Sequence, residues 1–256
     1  MESLPGTIRG ASEPFAPTHW SVVLAAGESQ SAPEAAHTAL AQLCQTYWPP
    51  LYTFVRSRGY AVHDAQDLTQ SFFAYLIEHK LYTRVDRQKG KFRSFLLASL
   101  KNLLADADDR AQTLKRGGGR DFLPLSEAQV DEAESIFQTH GGAEESANED
   151  RVFERSWAET LVAGALGRVA AEYEAEGKEK LFAMLRIFLT GGADRLPTYT
   201  ELGARLATPA STLRSDVTRL RARYREALRV GVRSTVERES EVEDELRELL
   251  RVLTSR

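Results

Sequence analysis

Between Pro197 and Leu228 the residues with a chemical use are arginines and short hydroxyls at helical spacing. Ser211, Thr212, Arg214, Ser215, Thr218, Arg219, Arg221 and Arg223 fall on the polar side, and Leu213, Val217, Leu220 and Tyr224 form the opposite, apolar stripe. A guanidinium is a planar fork of donors that fits guanine N7 and O6 or the oxygens of a phosphate, and short hydroxyls near a helix start approach a duplex backbone without steric cost. A second group, Lys80 to Phe95, mixes Lys80, Arg84, Arg87, Lys89, Lys91 and Arg93 with Tyr82, Phe92 and Phe95. Cations that hold phosphates beside rings that stack on unpaired bases are what single-stranded nucleic acid needs. Phe92 and Phe95 fit a core stripe equally well, which leaves Tyr82 as the freer stacking candidate.

Both patterns recognise and neither makes bonds. Gly117-Gly118-Gly119-Arg120 lacks the preceding strand and the Lys-Ser/Thr ending of a phosphate-cradling loop. The histidines (His19, His37, His63, His79, His140) are scattered singly with no second ligand at helical spacing, so no metal or cofactor is expected. No nucleophile and base are paired, and an enzyme is the least favoured class. The single Cys44 excludes an internal disulfide and reads as a buried structural thiol in an alanine-rich helical pattern.

The elements that must position these groups are helices. Apolar residues recur at spacings of three and four, period-two alternation is missing, and the expectation is an all-α protein. With 256 residues, 42% of them hydrophobic, the chain can bury a core. No run approaches the roughly 18 apolar residues of a membrane span, and Met1 to Pro17 has no apolar signal region, so a cytoplasmic protein without membrane contact is expected. The net charge of −4 hides segregation: Lys80 to Arg120 holds eleven Lys or Arg against four Asp, and Arg195 to Arg233 nine Arg against Glu201, Asp216 and Glu226. Asp121 to Glu159 between them holds eleven acids against Arg151 and Arg155.

Composition and punctuation divide the chain into a partly disordered lead (residues 1–34, with a short helix over His19 to Ala26), a helical domain (35–116), a flexible acidic linker (117–150), a second helical domain (151–236) and an acidic C-terminal helix (237–256). Pro49-Pro50 is expected to interrupt the first helix, Gly59 to close its continuation, and the next helix to carry Leu68, Phe72, Tyr75 and Leu76 on one face. A long helix is expected from about Lys91 to Lys115, and a short one in the linker around Ser126 to Phe137. In the second domain, Thr198 and Glu201 form a capping box, and Thr208 reads as the N-cap of a new helix with Pro209 in its first position. Two helices joined by a tight turn, the second rich in Arg, make a helix-turn-helix.

These pieces, in this order, resemble the bacterial RNA polymerase sigma factor family of the compact extracytoplasmic-function type. The run Asp64-Ala65-Gln66-Asp67-Leu68-Thr69-Gln70-Ser71-Phe72-Phe73 is similar to the family's polymerase-binding helix in region 2, with Gln66 where Glu is usual. Phe92-Arg93-Ser94-Phe95-Leu96 through Lys101-Asn102 resembles its F-R-x-W-L and R-N pattern. Tyr199-Thr200-Glu201-Leu202-Gly203-Ala204 and Thr212-Leu213-Arg214-Ser215-Asp216-Val217-Thr218-Arg219-Leu220 resemble region 4, with Asp216 adding a negative charge to the reading helix. The resemblance implies a region 2-like bundle and a region 4-like helix-turn-helix joined by the linker. It implies core RNA polymerase and promoter DNA as partners, with an anti-sigma factor or kinase as candidate regulator. Asp64, Asp67, Gln70 and Ser71 would dock on the polymerase. Tyr82, Arg84, Arg87, Lys89, Lys91, Arg93 and Asn102 would hold the opened minus-ten strand. Ser211, Thr212, Arg214, Ser215, Thr218, Arg219 and Arg221 would read the minus-thirty-five duplex, and the outer face of the second domain would meet the polymerase flap. Other readings are a helix-turn-helix regulator that works without polymerase and a sigma-like adaptor that never initiates transcription.

The C-terminal segment carries Val242, Leu246, Leu249 and Leu253 on one stripe among Glu239, Glu241, Glu243, Asp244, Glu245 and Glu248. That stripe must bury against the second domain, a twin or a regulator. Charge complementarity suggests that this helix, or the acidic linker, covers a basic island and restrains DNA binding. Deleting residues 237–256 should then strengthen DNA binding in a duplex titration; unchanged or weaker binding refutes the restraint.

Overall fold

The computed structural model describes residues 33–81, 91–111, 127–139, 149–190, 196–236 and 238–255. They are all-α, with no strand among them. The helices are α1 (Pro33–Ser57), α2 (Val62–Glu78), α3 (Phe92–Ala111), α4 (Glu127–Thr139), α5 (Glu149–Ala175), α6 (Glu179–Leu185), α7 (Ile187–Thr190), α8 (Tyr199–Leu206), α9 (Ala210–Arg233) and α10 (Val242–Thr254). The short helix expected over His19 to Ala26 lies outside the described residues. No helix among those described is long and apolar enough to cross a membrane.

Two apolar clusters organise the chain. The first gathers Tyr47, Trp48, Leu51 and Phe54 of α1, Phe72 and Leu76 of α2, Leu96, Leu100 and Leu104 of α3, and Phe153 and Trp157 of α5. The second gathers Val169 and Tyr173 of α5 with Phe182, Leu185, Leu202, Leu213, Val217 and Leu220. The first half of α5 therefore belongs to one core and the second half to the other. Val232 at the end of α9, Val236, and Val242, Leu249 and Val252 of α10 also lie in the first cluster. Cys44 is buried there, and burial pushes its thiol up to about 12.

Several local expectations change. Pro49 and Pro50 do not interrupt α1, which runs through them to Ser57. A proline supplies no N–H to the helix, but Trp48, Leu51, Tyr52, Phe54 and Val55 are buried around the pair, and this packing holds the turn together where propensity alone would break it. Gly59, at φ +89, closes the helix as expected. Tyr75, expected on the inward face of α2, is 37% exposed, and Ala65, Thr69, Phe72, Phe73 and Leu76 fill that face. The acidic linker is not a free tether where it is described. Its helix α4 docks on α1: Ala133 is fully buried, Arg56 donates from Nε and Nη2 to the two oxygens of Glu134 at 2.9 and 2.8 Å, and Tyr52 Oη donates to Oε2 at 2.6 Å. The Arg56 guanidinium also lies 4.6 Å from the Phe137 ring centre.

The Arg56 hydrogen bonds hold the Glu134 carboxyl down from 4.5 to about 2. A carboxyl made more acidic by folding stabilises the fold only while ionised, so its contribution is full above the ordinary carboxylate range and fades as pH falls through it toward 2. Glu134→Gln should lower unfolding free energy by about 2 kcal/mol at neutral pH, with the gap to the parent closing on acidification; urea denaturation across pH checks it.

Candidate nucleic-acid and polymerase-docking faces

The helix-turn-helix is built from local rules. Thr198 Oγ1 accepts from Glu201 N at 3.2 Å and Glu201 Oε2 accepts from Thr198 N at 2.7 Å, the reciprocal capping box expected at the start of α8. Ala207 ends α8 in the left-handed region at φ 49. A Cβ on Gly203 would meet the Thr208 carbonyl oxygen at 2.6 Å, so only glycine lets the chain turn back this closely over α8. Thr208 is not the cap of the next helix. Its hydroxyl donates to the Leu206 carbonyl at 3.0 Å, closing the turn, and Pro209 occupies the cap position with α9 starting at Ala210.

Along α9, Leu213, Val217 and Leu220 are buried, and Ser211, Thr212, Arg214, Ser215, Thr218, Arg219 and Arg221 are all exposed. The seven expected duplex-reading residues thus share the solvent side of one helix. Ser215 and Thr218 donate their hydroxyls to the carbonyls of Ser211 and Arg214 at 3.3 and 3.0 Å. Arg214 lies 5.7 Å from the Tyr199 ring centre, and Tyr199 stacks on Phe188. Arg223 turns the other way, to Glu176 at 2.7 Å and the Tyr173 ring at 5.0 Å, and is lost to the reading face.

On α2, Asp64 and Asp67 are exposed and Gln70 and Ser71 half-buried, on the side opposite Phe72 and Leu76. Tyr75 joins this outer side with its ring 4.4 Å from that of His79. Steps of 3.6 residues per turn place position 75 near Asp64 and Ser71 but equally near Leu68, at the edge of the apolar stripe, so the spacing alone leaves its side open.

The strand-holding set divides. Tyr82, Arg84, Arg87 and Lys89 lie outside the described residues. Asn102 is exposed on α3, and Lys91 is 46% exposed and paired with Glu245 at 2.6 Å. Burial and the neighbouring Arg93 hold the Lys91 ammonium below its ordinary lysine value. Arg93 itself is not at the surface. Its side chain is 3% exposed, 4.1 Å from the Trp157 ring centre, bonded to Glu154 at 2.7 Å and to Glu245. The spacing of Phe92 and Leu96 gave no warning of this, because both carboxylates come from distant segments. Arg93 is therefore a core cation and leaves the DNA-contacting set.

The acidic C-terminal helix accordingly lies at the start of α3, and it covers Lys91 and Arg93 through one carboxylate. Glu243 and Glu239 pair in turn with Arg229 and Arg233 at the end of α9. Deleting residues 237–256 would remove core side chains together with charge, so single substitutions separate the two effects. Glu245→Ala should lower unfolding free energy by about 3 kcal/mol, since it takes one of two carboxylates from a buried guanidinium. Lys91→Ala should change it by less than about 1 kcal/mol, as an exposed pair does. Equal, small effects in urea denaturation would return Arg93 to the surface. Comparison with known proteins gives no match of any kind: no family model, no curated relative and no solved structure.

Proposed function

We propose that this chain is a bacterial RNA polymerase sigma factor of the compact extracytoplasmic-function type, a cytoplasmic, non-catalytic subunit that docks on core polymerase and reads promoter DNA. The observation that carries the reading is the disposition of α9. A capped helix and a glycine-dependent turn lead into a long helix whose Ser211, Thr212, Arg214, Ser215, Thr218, Arg219 and Arg221 are all outward and whose Leu213, Val217 and Leu220 are all inward. A helix of this kind fits the major groove, where arginine reads guanine and neighbouring side chains grip phosphate. The outer side of α2 supports the docking half of the reading, since α2 carries Asp64, Asp67 and Glu78 and neither Lys nor Arg. In this reading Asp64, Asp67, Gln70 and Ser71 meet the polymerase, and Tyr82, Arg84, Arg87, Lys89, Lys91 and Asn102 hold the opened minus-ten strand. The seven α9 residues read the minus-thirty-five duplex.

Transcription from a genomic fragment library with purified core enzyme should yield promoter-dependent products only when the chain is added. Asp67→Ala combined with Gln70→Ala should weaken core binding by roughly tenfold while leaving the fold intact. Undiminished affinity would move the docking site elsewhere, and a chain that never co-purifies with core polymerase would leave only a generic DNA binder.

A further inference from the structure

Asp216 is an acid in the middle of a face that should meet a polyanion. Its placement removes the conflict. The Asp216 side chain is 14% exposed, against 67% for Arg219, and Arg219 Nη2 donates to Asp216 Oδ1 at 2.6 Å. With 3.6 residues per turn, Asp216 lies on the shoulder beside the buried Leu213 and Leu220, and Arg219 lies further out toward Ser215. The carboxylate is spent along the helix surface on its own arginine and does not face the groove.

An exposed Asp–Arg pair one turn apart adds little to stability, so stability is a poor account of it. Orientation is a better one. A free arginine has many rotamers and loses them on binding, and fixing the side chain beforehand reduces that loss. The guanidinium has five N–H donors in a rigid fork; Asp216 uses one, and a two-bond edge remains for a base. The other arginines differ. Arg214 lies over Tyr199, and Arg223 is drawn to Glu176 just past the end of α5.

We propose that Asp216 is a positioning residue that fixes the Arg219 guanidinium for a two-bond contact with the N7 and O6 of one guanine in duplex DNA. The inference rests on the duplex-reading role of α9 proposed above, and it names the base that this part of the helix takes.

The test is selection of duplexes from a randomised library by the full chain bound to core polymerase. The parent should prefer guanine at one position. Arg219→Ala and Asp216→Ala should each reduce that preference by about tenfold at the same position, and the double variant should lose no more than either alone. Asp216→Glu, which keeps the carboxylate, should retain more of the preference than Asp216→Ala. The proposal is overturned if Asp216→Ala tightens binding to all duplexes alike and leaves the preference intact, because the carboxylate then only repels DNA. It is also overturned if the two variants flatten different positions. Failure of the underlying reading looks different: the parent selects no sequence, and Arg214→Ala and Arg221→Ala leave duplex affinity unchanged.

Discussion

The fold depends on one buried cation. Arg93 lies against the Trp157 ring and between the carboxylates of Glu154 and Glu245, so it joins α3, α5 and α10 at a single point inside the first core. A guanidinium out of water is tolerable only when its donors are met, and two acids plus an aromatic face meet them here. The start of α3 is thereby tied to α5 and to α10. The α9 helix runs into Val232 and Val236 of the same core, and α10 returns from there to close over the start of α3.

The same logic sorts the cations of the chain. Arg56 has Glu134, Tyr52 and the Phe137 ring; Arg93 has two carboxylates and Trp157; Arg223 has Glu176 and Tyr173. Each of these three is drawn against the helical body by an acid from another segment. Arg214, Arg219 and Arg221 remain outward. The charge that matters to a nucleic acid is therefore the part of the basic islands that the acidic segments do not neutralise, and the formal −4 says nothing about it.

What the sequence disclosed was local. The capping box at Thr198 and Glu201, the apolar stripe of α9, the glycine that closes α1 and the buried thiol all follow from neighbours within a turn or two. What it concealed was long-range or depended on packing. Nothing near Arg93 announces Glu154 or Glu245, and nothing near Glu134 announces Arg56 and Tyr52, which lie some eighty residues earlier. The proline pair in α1 reads as a break because propensity counts the lost hydrogen bonds and not the burial of Trp48, Leu51 and Tyr52 around it. Tyr75 reads as buried because an aromatic among apolar neighbours invites burial, yet at the edge of the stripe it stands exposed.

The continuity of α5 sets a limit on modularity. Phe153 and Trp157 at one end and Val169 and Tyr173 at the other sit in different cores on one uninterrupted rod of backbone. A cut at the compositional seam near residue 150 would strip a tryptophan and a phenylalanine out of the half that needs them. Recombination that swapped the second helical unit for another at that seam would have to carry matching partners for both. Side chains on the outer surface of α9, by contrast, can change without touching either interior.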